Sequence, residues 1–320
     1  MRGLRLARER GAYTLSVAEV KRTGAGQVAL SNALRMSGSI RSGMNRVSAR
    51  LASFDYPDFS EKELFASATY TLRKPGKMLR PALVFLGAQV IGRETDAFVD
   101  MAAAAELLHT ASLVHDDIID RDTVRRGVPA LHARYGRETA LLAGDALIAK
   151  AVSLAARYGP GVVKTVADAS LDTCAGELLD YTFQRDGRMP SVREYLRIAR
   201  LKNGVFMGTC SSIAATYARS RKAGRLYAFG LNLGVAFQIR DDIIEMVDAG
   251  ERVRNGGAAK RSPNLVSIFE RQFRIGNEEA LGNAVELNNY FADRALGFVK
   301  GEKAGAELAS YIDFVRIRDT

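Results

Sequence analysis

Two carboxylate clusters have a spacing that places acidic side chains on one side of a helix. The segment from Asp116 to Asp120, Asp-Asp-Ile-Ile-Asp, ends one apolar stretch, and the segment from Asp241 to Glu245, Asp-Asp-Ile-Ile-Glu, ends another. Positions i and i+4 of an α-helix lie about 40° apart around the axis and about 6 Å apart along it. The first and last carboxylates of each cluster therefore share a face, where they repel each other unless a cation holds them.

Such hard oxygen ligands suit Mg²⁺, which proteins bind through one or two carboxylates together with water and substrate phosphates. The alternative interpretation is a solvated acidic helix end, and for a single cluster that interpretation is the stronger one. Because the chain has two nearly identical carboxylate clusters, each after an apolar stretch, metal binding is favoured over this alternative. Carboxylates at the C-terminal end of a helix also oppose the helix dipole, which indicates that function overrides local preference here.

Basic side chains indicate what the metal site binds. The segment from Gly76 to Pro81, Gly-Lys-Met-Leu-Arg-Pro, puts two cations at a predicted helix start, where backbone N–H groups attract phosphate. Arg125 and Arg126 follow the first cluster, and Lys202 lies within an apolar stretch. These cations predict a ligand that carries several phosphates. The apolar helices that lead to the clusters predict that the ligand also has a hydrocarbon part.

Long helices with an apolar face must position these groups. Helical patterns cover Ala102 to Ile119, Arg137 to Tyr158, Val163 to Phe183, Val192 to Tyr217 and Leu226 to Val247. Ser60 and Ser191 each stand three residues before a glutamate, which is the spacing of a capping box. We find no linker and no fixed-period repeat after residue 50. The pattern predicts one all-helical domain over residues 51–320.

Composition and charge exclude several classes of protein. The 320 residues are 47% hydrophobic and 26% charged, which is typical of globular chains and not of disordered, collagen-like or disulfide-rich ones. No stretch approaches 18 uninterrupted apolar residues, so no membrane span is expected. The first 50 residues hold ten basic and two acidic side chains, and thus +8 of the net charge of +10. Because the remaining chain is nearly balanced, a nucleic-acid partner is not expected.

The basic N-terminal segment, residues 1–50, has three open interpretations. It is a mobile tail, an organellar transit peptide, or a translated stretch upstream of a start at Met36 or Met44. A cytoplasmic location is expected, with an organellar location as the alternative if the segment is a transit peptide. Cys174 and Cys210 lie in apolar helical patterns, which predicts buried free thiols.

Taken in order, the motifs resemble those of the trans-isoprenyl (polyprenyl) diphosphate synthase family. The segment from Gly76 to Pro81 is similar to the family's GKxxRP motif. Leu108 to Asp120, followed by Arg125-Arg126-Gly127, is similar to its first aspartate-rich motif. Gly234 to Asp242 is similar to the second, and Tyr311 to Asp319 to the C-terminal helix. The resemblance covers about residues 51–320.

The resemblance implies an all-α fold, a single large helical bundle of the isoprenoid-synthase type with a central cavity, in a homodimer. It implies a Mg²⁺-dependent prenyltransferase that condenses isopentenyl diphosphate with an allylic diphosphate, with membrane-surface association for product release. Metal ligands would be Asp116, Asp120 and Asp241, supported by Asp117 and Asp242. Isopentenyl diphosphate would bind Lys77, Arg80, His109 and Arg126. The allylic diphosphate would bind Arg125, Lys202 and Gln238. Catalytic roles would fall on Asp116, Asp120, Arg125 and Lys202.

Some positions depart from the family pattern. Glu245 and Asn203 stand where the family usually has Asp and Thr. The stretch over 250–264 is shortened, and Gly257 stands where the family has a lysine. Lys260 would have to supply that missing positive charge. These departures keep open an alternative, the non-catalytic subunit of a heteromeric prenyltransferase. A terpene cyclase is a weaker alternative, because it would not need the residues that bind isopentenyl diphosphate.

Small residues before the first cluster bear on product length. Ala111 and Ser112 precede Asp116, and no aromatic residue occurs between them and Phe98. One helical turn of 5.4 Å is close to the length of an extended isoprene unit. A bulky residue on this helix would therefore block further growth of the hydrocarbon chain. By resemblance to relatives with an aromatic residue near these positions, which make shorter products, we expect C25 to C40, or else C20. Ala111→Tyr is then expected to shorten the product. Alternatively, small residues merely allow close helix packing.

Overall fold

A computed structural model describes residues 36–55, 58–73, 76–254 and 264–317. These residues are mostly helical, as predicted, and include one antiparallel hairpin of β1 (Val124–Arg125) and β2 (Val128–Pro129). The helices up to the hairpin are α1 (Gly38–Ala52), α2 (Lys62–Leu72), α3 (Leu79–Val90), a 3₁₀ turn (Thr95–Phe98) and α4 (Val99–Asp120). After the hairpin come α5 (Leu131–Tyr135), α6 (Arg137–Ala156), α7 (Pro160–Arg185), α8 (Val192–Ala199), a π-helical turn (Arg200–Gly204), α9 (Val205–Tyr217), α10 (Ala223–Arg254), α11 (Leu265–Phe273), α12 (Asn277–Val299) and α13 (Gly305–Ile317).

The described residues form two compact units, and the single domain expected over residues 51–320 stays a prediction. The first unit comprises residues 36–170 and 209–224, and the second comprises residues 171–208 and 225–317. The dividing points fall inside α7, α9 and α10, so each of these helices contributes residues to both units.

The first unit is built around α4, which packs against α6, α3 and α1. The predicted apolar pattern of α4 is confirmed, since Ala102, Leu107 and Ala111 are fully buried. α3 is buried on all sides, and a Cβ atom at Gly87 would overlap the Ser211 backbone carbonyl. Glycine at this position therefore lets the two backbones touch.

Helix α1 spans residue 50, where the sequence pattern predicted the start of the helical domain. Ile40, Val47 and Leu51 are buried, and α1 packs on α3 and α4. A Cβ atom at Gly43 would lie 2.8 Å from the Phe85 ring, so α1 approaches α3 closely. Residues 36–50 thus belong to the first compact unit, because their apolar face fills its core. The interpretations of residues 1–35 lie outside the described residues, and the cytoplasmic location stays a prediction.

The second unit has its core where α8, α10, α11 and α12 meet. Tyr195, Ile239, Leu265, Phe269 and Ala284 belong to one buried apolar cluster. Packing of these amphipathic faces, more than intrinsic helix propensity, is what stabilises helices of this length.

Helix starts follow the predicted capping chemistry in part. The Ser191–Glu194 capping box is formed at the start of α8. The box predicted at Ser60 is not formed, because Ser60 has a φ of +64° and Glu61 takes the N-cap position of α2. Asn264 caps α11 with Ser267, in a box that the sequence did not reveal to us.

The two cysteines differ in burial. Both are free, and Cys210 is buried as predicted, with burial raising the pKa of its thiol to about 12. Cys174 is exposed on α7, so the prediction of a buried thiol is wrong there. The pattern around Cys174 was apolar, but its neighbour Leu171 is itself exposed.

Two helices of the described chain are long and apolar enough to cross a membrane by length and composition. They are the stretch Thr95–Asp120, which contains α4, and α6; the most apolar 18-residue window is 67% buried in the first and 39% buried in the second. The mostly buried α4 is the core helix of the first unit, and buried core helices meet these criteria of length and composition as well. α6 differs, since part of its apolar surface is exposed.

Candidate active site

The first carboxylate cluster forms the C-terminal end of α4, which closes at Arg121 in the left-handed conformation (φ +59°). Asp116 is half-buried and Asp120 is exposed, and they share one face, as the spacing predicted. Asp117 is buried and accepts a hydrogen bond of 2.8 Å from Nε of Arg125 on β1. Asp117 therefore orients Arg125.

The second cluster divides its residues in the same way. Asp241 is half-buried and Glu245 is exposed, one turn apart on α10. Asp242 is buried, and it accepts hydrogen bonds from the Leu265 backbone N–H at 2.8 Å and from Nε2 of Gln238 at 3.0 Å. Burial raises the pKa of Asp242 to about 7. In this structure Asp242 ties α10 to the start of α11.

The exposed carboxylates suit a hard divalent cation. Among the described residues, no three His, Cys, Asp or Glu side chains are gathered as a closed metal site requires. Mg²⁺ needs no such cage, because it binds through one or two carboxylates and completes its shell with water and phosphate oxygens. The pairs Asp116/Asp120 and Asp241/Glu245 offer that donor set, so the residues present fit the ion.

Four of the residues predicted to bind isopentenyl diphosphate lie in the first unit. Nη1 of Arg80 lies 3.1 Å from Nε2 of His109, and a Cβ atom at Gly76 would overlap the Arg126 guanidinium. Arg80 is buried at the start of α3, while Lys77 is exposed just before it. The lack of a side chain at the motif glycine thus lets the Arg126 guanidinium lie close to the backbone. The structure brings Arg80, His109, Arg126 and the Gly76–Lys77 segment together.

The charge state of His109 follows from this environment. Burial and the positive charges of Arg80 and Arg126 hold the pKa of His109 well below its ordinary value. A neutral ring with its proton on Nδ1 can accept the Arg80 hydrogen bond at Nε2, and we assign that tautomer from the contact. His109 therefore orients Arg80 without adding charge.

Lys202 projects from the π-helical turn between α8 and α9. Its ammonium lies 2.9 Å from Glu177 and 2.6 Å from Asp180, both on α7. Burial alone would lower the pKa of Lys202, but these two carboxylates raise it above its ordinary value. Glu177 and Asp180 were not predicted from the sequence. Their i, i+3 spacing directly after Gly176 was the signal that could have revealed a third acidic pair.

Three glycines bring the backbones together around this π-helical turn. A Cβ atom at Gly234 would lie 2.6 Å from the Asn203 carbonyl oxygen and 2.7 Å from Cα of Gly204. A Cβ atom at Gly176 would lie 2.7 Å from the Lys202 backbone nitrogen. π-turns occur often at functional sites, and this one is enclosed on both sides by backbone.

Asn203, which departs from the family pattern, takes part in a chain of hydrogen bonds. Its Nδ2 donates to Oε1 of Gln238 at 2.6 Å, and Gln238 in turn donates to Asp242. Gln238 was predicted to bind the allylic diphosphate, and here its amide is engaged at both ends within the second unit. The residues Gly257 and Lys260, on which a further prediction rested, lie outside the described residues.

Comparison with known proteins identifies the family. The sequence model of the polyprenyl synthetase family matches residues 61–257. The chain belongs to this family. It is 33% identical to geranylgeranyl pyrophosphate synthase of Geoglobus acetivorans over 66% of this chain and 70% of the relative. It is 36% identical to nonaprenyl diphosphate synthase of Mycobacterium tuberculosis over 53% of this chain and 52% of the relative.

A solved structure supports the fold assignment. A polyprenyl synthase from Caulobacter crescentus, solved with calcium and isoprenyl diphosphate, is 25% identical and superposes with a TM-score of 0.75 over 92% of this chain and 100% of that one. The all-α isoprenoid-synthase fold predicted from the sequence is thereby confirmed. Membership also makes the chain a prenyltransferase that elongates isoprenyl diphosphates. The assignment of individual site residues stays a prediction.

Proposed function

We propose that this polyprenyl synthetase condenses isopentenyl diphosphate with an allylic diphosphate in a Mg²⁺-dependent reaction. The observation that carries the proposal is the cluster of Arg80, His109 and Arg126 against Gly76, because two guanidiniums beside a neutral imidazole form a binding site for a diphosphate. The metal requirement is supported by the carboxylate pairs Asp116/Asp120 and Asp241/Glu245, in each of which one member is half-buried and the other exposed.

The protein's own residues supply binding, orientation and charge stabilisation. Arg125 is held by Asp117 in the first unit, and Lys202 is held by Glu177 and Asp180 in the second. Each is a fixed cation of the kind that stabilises negative charge developing on a departing diphosphate. Magnesium, when bound, acts there as a Lewis acid. Apolar helix surfaces keep water from the allylic cation. The double bond of isopentenyl diphosphate attacks this cation, and loss of a proton gives a product that is five carbons longer.

An elongation assay tests the proposal. The purified chain is incubated with isopentenyl diphosphate and C10, C15 or C20 allylic primers, with Mg²⁺ or with a chelator. We expect elongated products with Mg²⁺ and none with the chelator. No elongation from any primer would contradict the proposal and favour the alternative of a non-catalytic subunit, which no comparison supports.

We propose a product of C25 to C40, with C20 as the next choice; related enzymes range from C20 to C45. Ser112 lies one turn before Asp116 on the same face of α4 and is half-buried. Leu108 lies on that face one turn before Ser112. Ala111 is fully buried among its neighbours, so a larger side chain there would strain the core. Ser112 is therefore the better position at which to test the length of the product.

Ser112→Tyr is expected to shorten the main product by one or more five-carbon units, because the ring would fill the face along which the hydrocarbon extends. Chromatography of the dephosphorylated products measures the chain length. Ala49→Tyr, on the exposed side of α1, is the matched control and should leave the profile unchanged. An identical chain-length profile for Ser112→Tyr and wild type would exclude the hypothesis that the residue at position 112 limits the length of the product.

We further propose a homodimer that buries exposed apolar residues of α6 and α7. In the first unit Leu141 and Leu142 of α6 are 49% and 60% exposed. In the second unit Leu171, Leu178 and Tyr181 share a face of α7 and are exposed. Helices that remain apolar on an exposed face mark interaction surfaces. Membrane-surface association during product release is a separate proposal for the same exposed side chains.

The double substitution Leu141→Glu with Leu142→Glu is expected to convert the dimer to a monomer, because each carboxylate would have to be buried in the interface. Light scattering after size-exclusion chromatography gives the mass. Leu296→Glu, on α12, is the control and should leave the mass unchanged. A wild-type chain that is monomeric yet binds lipid vesicles would favour the membrane-surface proposal instead.

A further inference from the structure

A buried carboxylate lies behind the proposed isopentenyl diphosphate site. Glu106 of α4 is 2% exposed and stands three residues before His109, so both side chains project from the same side of the helix. Within the described part of the chain, its Oε2 atom has no hydrogen-bond partner. Buried acids are rarely left in this state, because an unsatisfied charged oxygen is costly. Glu106 was not predicted from the sequence, since a single acidic residue in an alanine-rich helix forms no recognisable motif.

The charged groups near Glu106 are two guanidiniums, those of Arg80 and Arg126. Arg80 from α3 and Arg126 after β1 both favour its ionised form, while burial raises its pKa to about 7. From α9, the buried Cys210 thiol adds no charge near neutral pH, since its pKa is raised to about 12. On α4 itself, His109 is neutral. The carboxyl group is therefore balanced between burial and two guanidiniums.

We propose that Glu106 is a positioning residue for Arg80 and Arg126 and that it takes up a proton when isopentenyl diphosphate binds to them. The inference rests on the proposed function. Without substrate, the ionised carboxylate offsets part of the guanidinium charge. A bound diphosphate brings about three negative charges to the same guanidiniums, which removes their support for the ionised carboxylate. The proton comes from the buffer, and no covalent bond forms or breaks.

The sign of the pH dependence follows from linkage. Binding raises the pKa of Glu106, so the complex holds more protons than the free protein above about pH 7. The dissociation constant for isopentenyl diphosphate should therefore rise with pH, by up to about tenfold per pH unit above 7. In Glu106→Gln, which keeps the shape and removes the titration, that part of the pH dependence should disappear.

Calorimetry of the full chain tests the proton uptake. Isopentenyl diphosphate alone is titrated near pH 7.5 into wild type and Glu106→Gln, in two buffers of different ionisation enthalpy. On binding isopentenyl diphosphate, we expect wild type to bind as much as about one proton more than the variant does. Glu138→Gln, an exposed position on α6, is the matched control and should behave as wild type. Equal proton uptake in wild type and Glu106→Gln would overturn the inference.

Steady-state kinetics and infrared spectroscopy add independent readouts. Glu106→Gln should flatten the pH profile of KM for isopentenyl diphosphate and leave KM for the allylic primer unchanged, which a loss of folding would not do. If the variant does not fold, infrared difference spectra of wild type should gain a protonated carboxyl band on binding, and the absence of that band contradicts the inference. A chain that binds no isopentenyl diphosphate at all would instead refute the proposed function.

Discussion

Asp116→Asn is expected to lower kcat/KM for elongation by about 10²–10³-fold, which is the usual effect of removing one group that stabilises charge in a transition state. The substitution keeps the size of the side chain and removes a negative charge from the outward face of α4. Asp116 is half-buried beside the buried Asp117, so it contributes little to the apolar core. The loss should therefore appear in turnover and not in the melting temperature.

The measurement is a steady-state assay across Mg²⁺ concentrations. The variant should also require more Mg²⁺ for half-maximal activity, because one of the two carboxylates on that face no longer attracts the ion. Asp96→Asn supplies a matched control, since Asp96 is an exposed carboxylate paired with Arg46 elsewhere in the first unit. A loss of less than tenfold with an unchanged Mg²⁺ requirement would remove Asp116 from the metal site.

Gly234→Ala is expected to lower both stability and activity. The new methyl group would lie 2.6–2.8 Å from backbone atoms of Asn203 and Gly204, and backbone cannot move aside as a flexible side chain can. Overpacking of this kind costs about 1–3 kcal/mol, against which the helix propensity of alanine returns about 1 kcal/mol. Because the displaced segment carries Lys202, turnover should fall by up to about 10²-fold.

Thermal unfolding and the elongation assay together measure this effect. Gly282→Ala on α12 is the control, because no atom lies within 4 Å of the added methyl group there. The same substitution at Gly282 should raise the melting temperature slightly, through helix propensity alone. If both variants melt alike and turn over alike, the close contact at the π-helical turn has no functional weight.

The sequence allowed prediction of the elements whose periodicity is strong. α4 and its terminal carboxylates follow from a long apolar pattern that ends in Asp-Asp-Ile-Ile-Asp. The assembly of Arg80, His109 and Arg126 was predictable only through the family resemblance, since spacing along the chain does not say which distant residues meet. Composition did not reveal α1, because its apolar residues lie in a stretch that is rich in basic side chains.

Other features depend on which side of a helix faces its neighbours. Asp117 and Asp242 look equivalent to Asp116 and Asp241 in the sequence, yet the first two are buried while the other two are half-buried. The acceptors of Lys202 come from α7, 22–25 residues earlier, and only the packing of α7 on the π-helical turn brings them within 3 Å. Periodicity alone does not encode that contact.

The division of each compact unit between two stretches of chain has a consequence for the order of folding during synthesis. The first unit needs residues 209–224, since Ser211 closes against Gly87 on the otherwise fully buried α3. A nascent chain that ends at residue 170 would leave that side of α3 uncovered. Closing so long a loop slows folding, because the entropy of closure is lost before the contact forms. We therefore expect that the first unit does not mature on the ribosome until residue 224 has emerged, and that fragments cut between its two stretches aggregate.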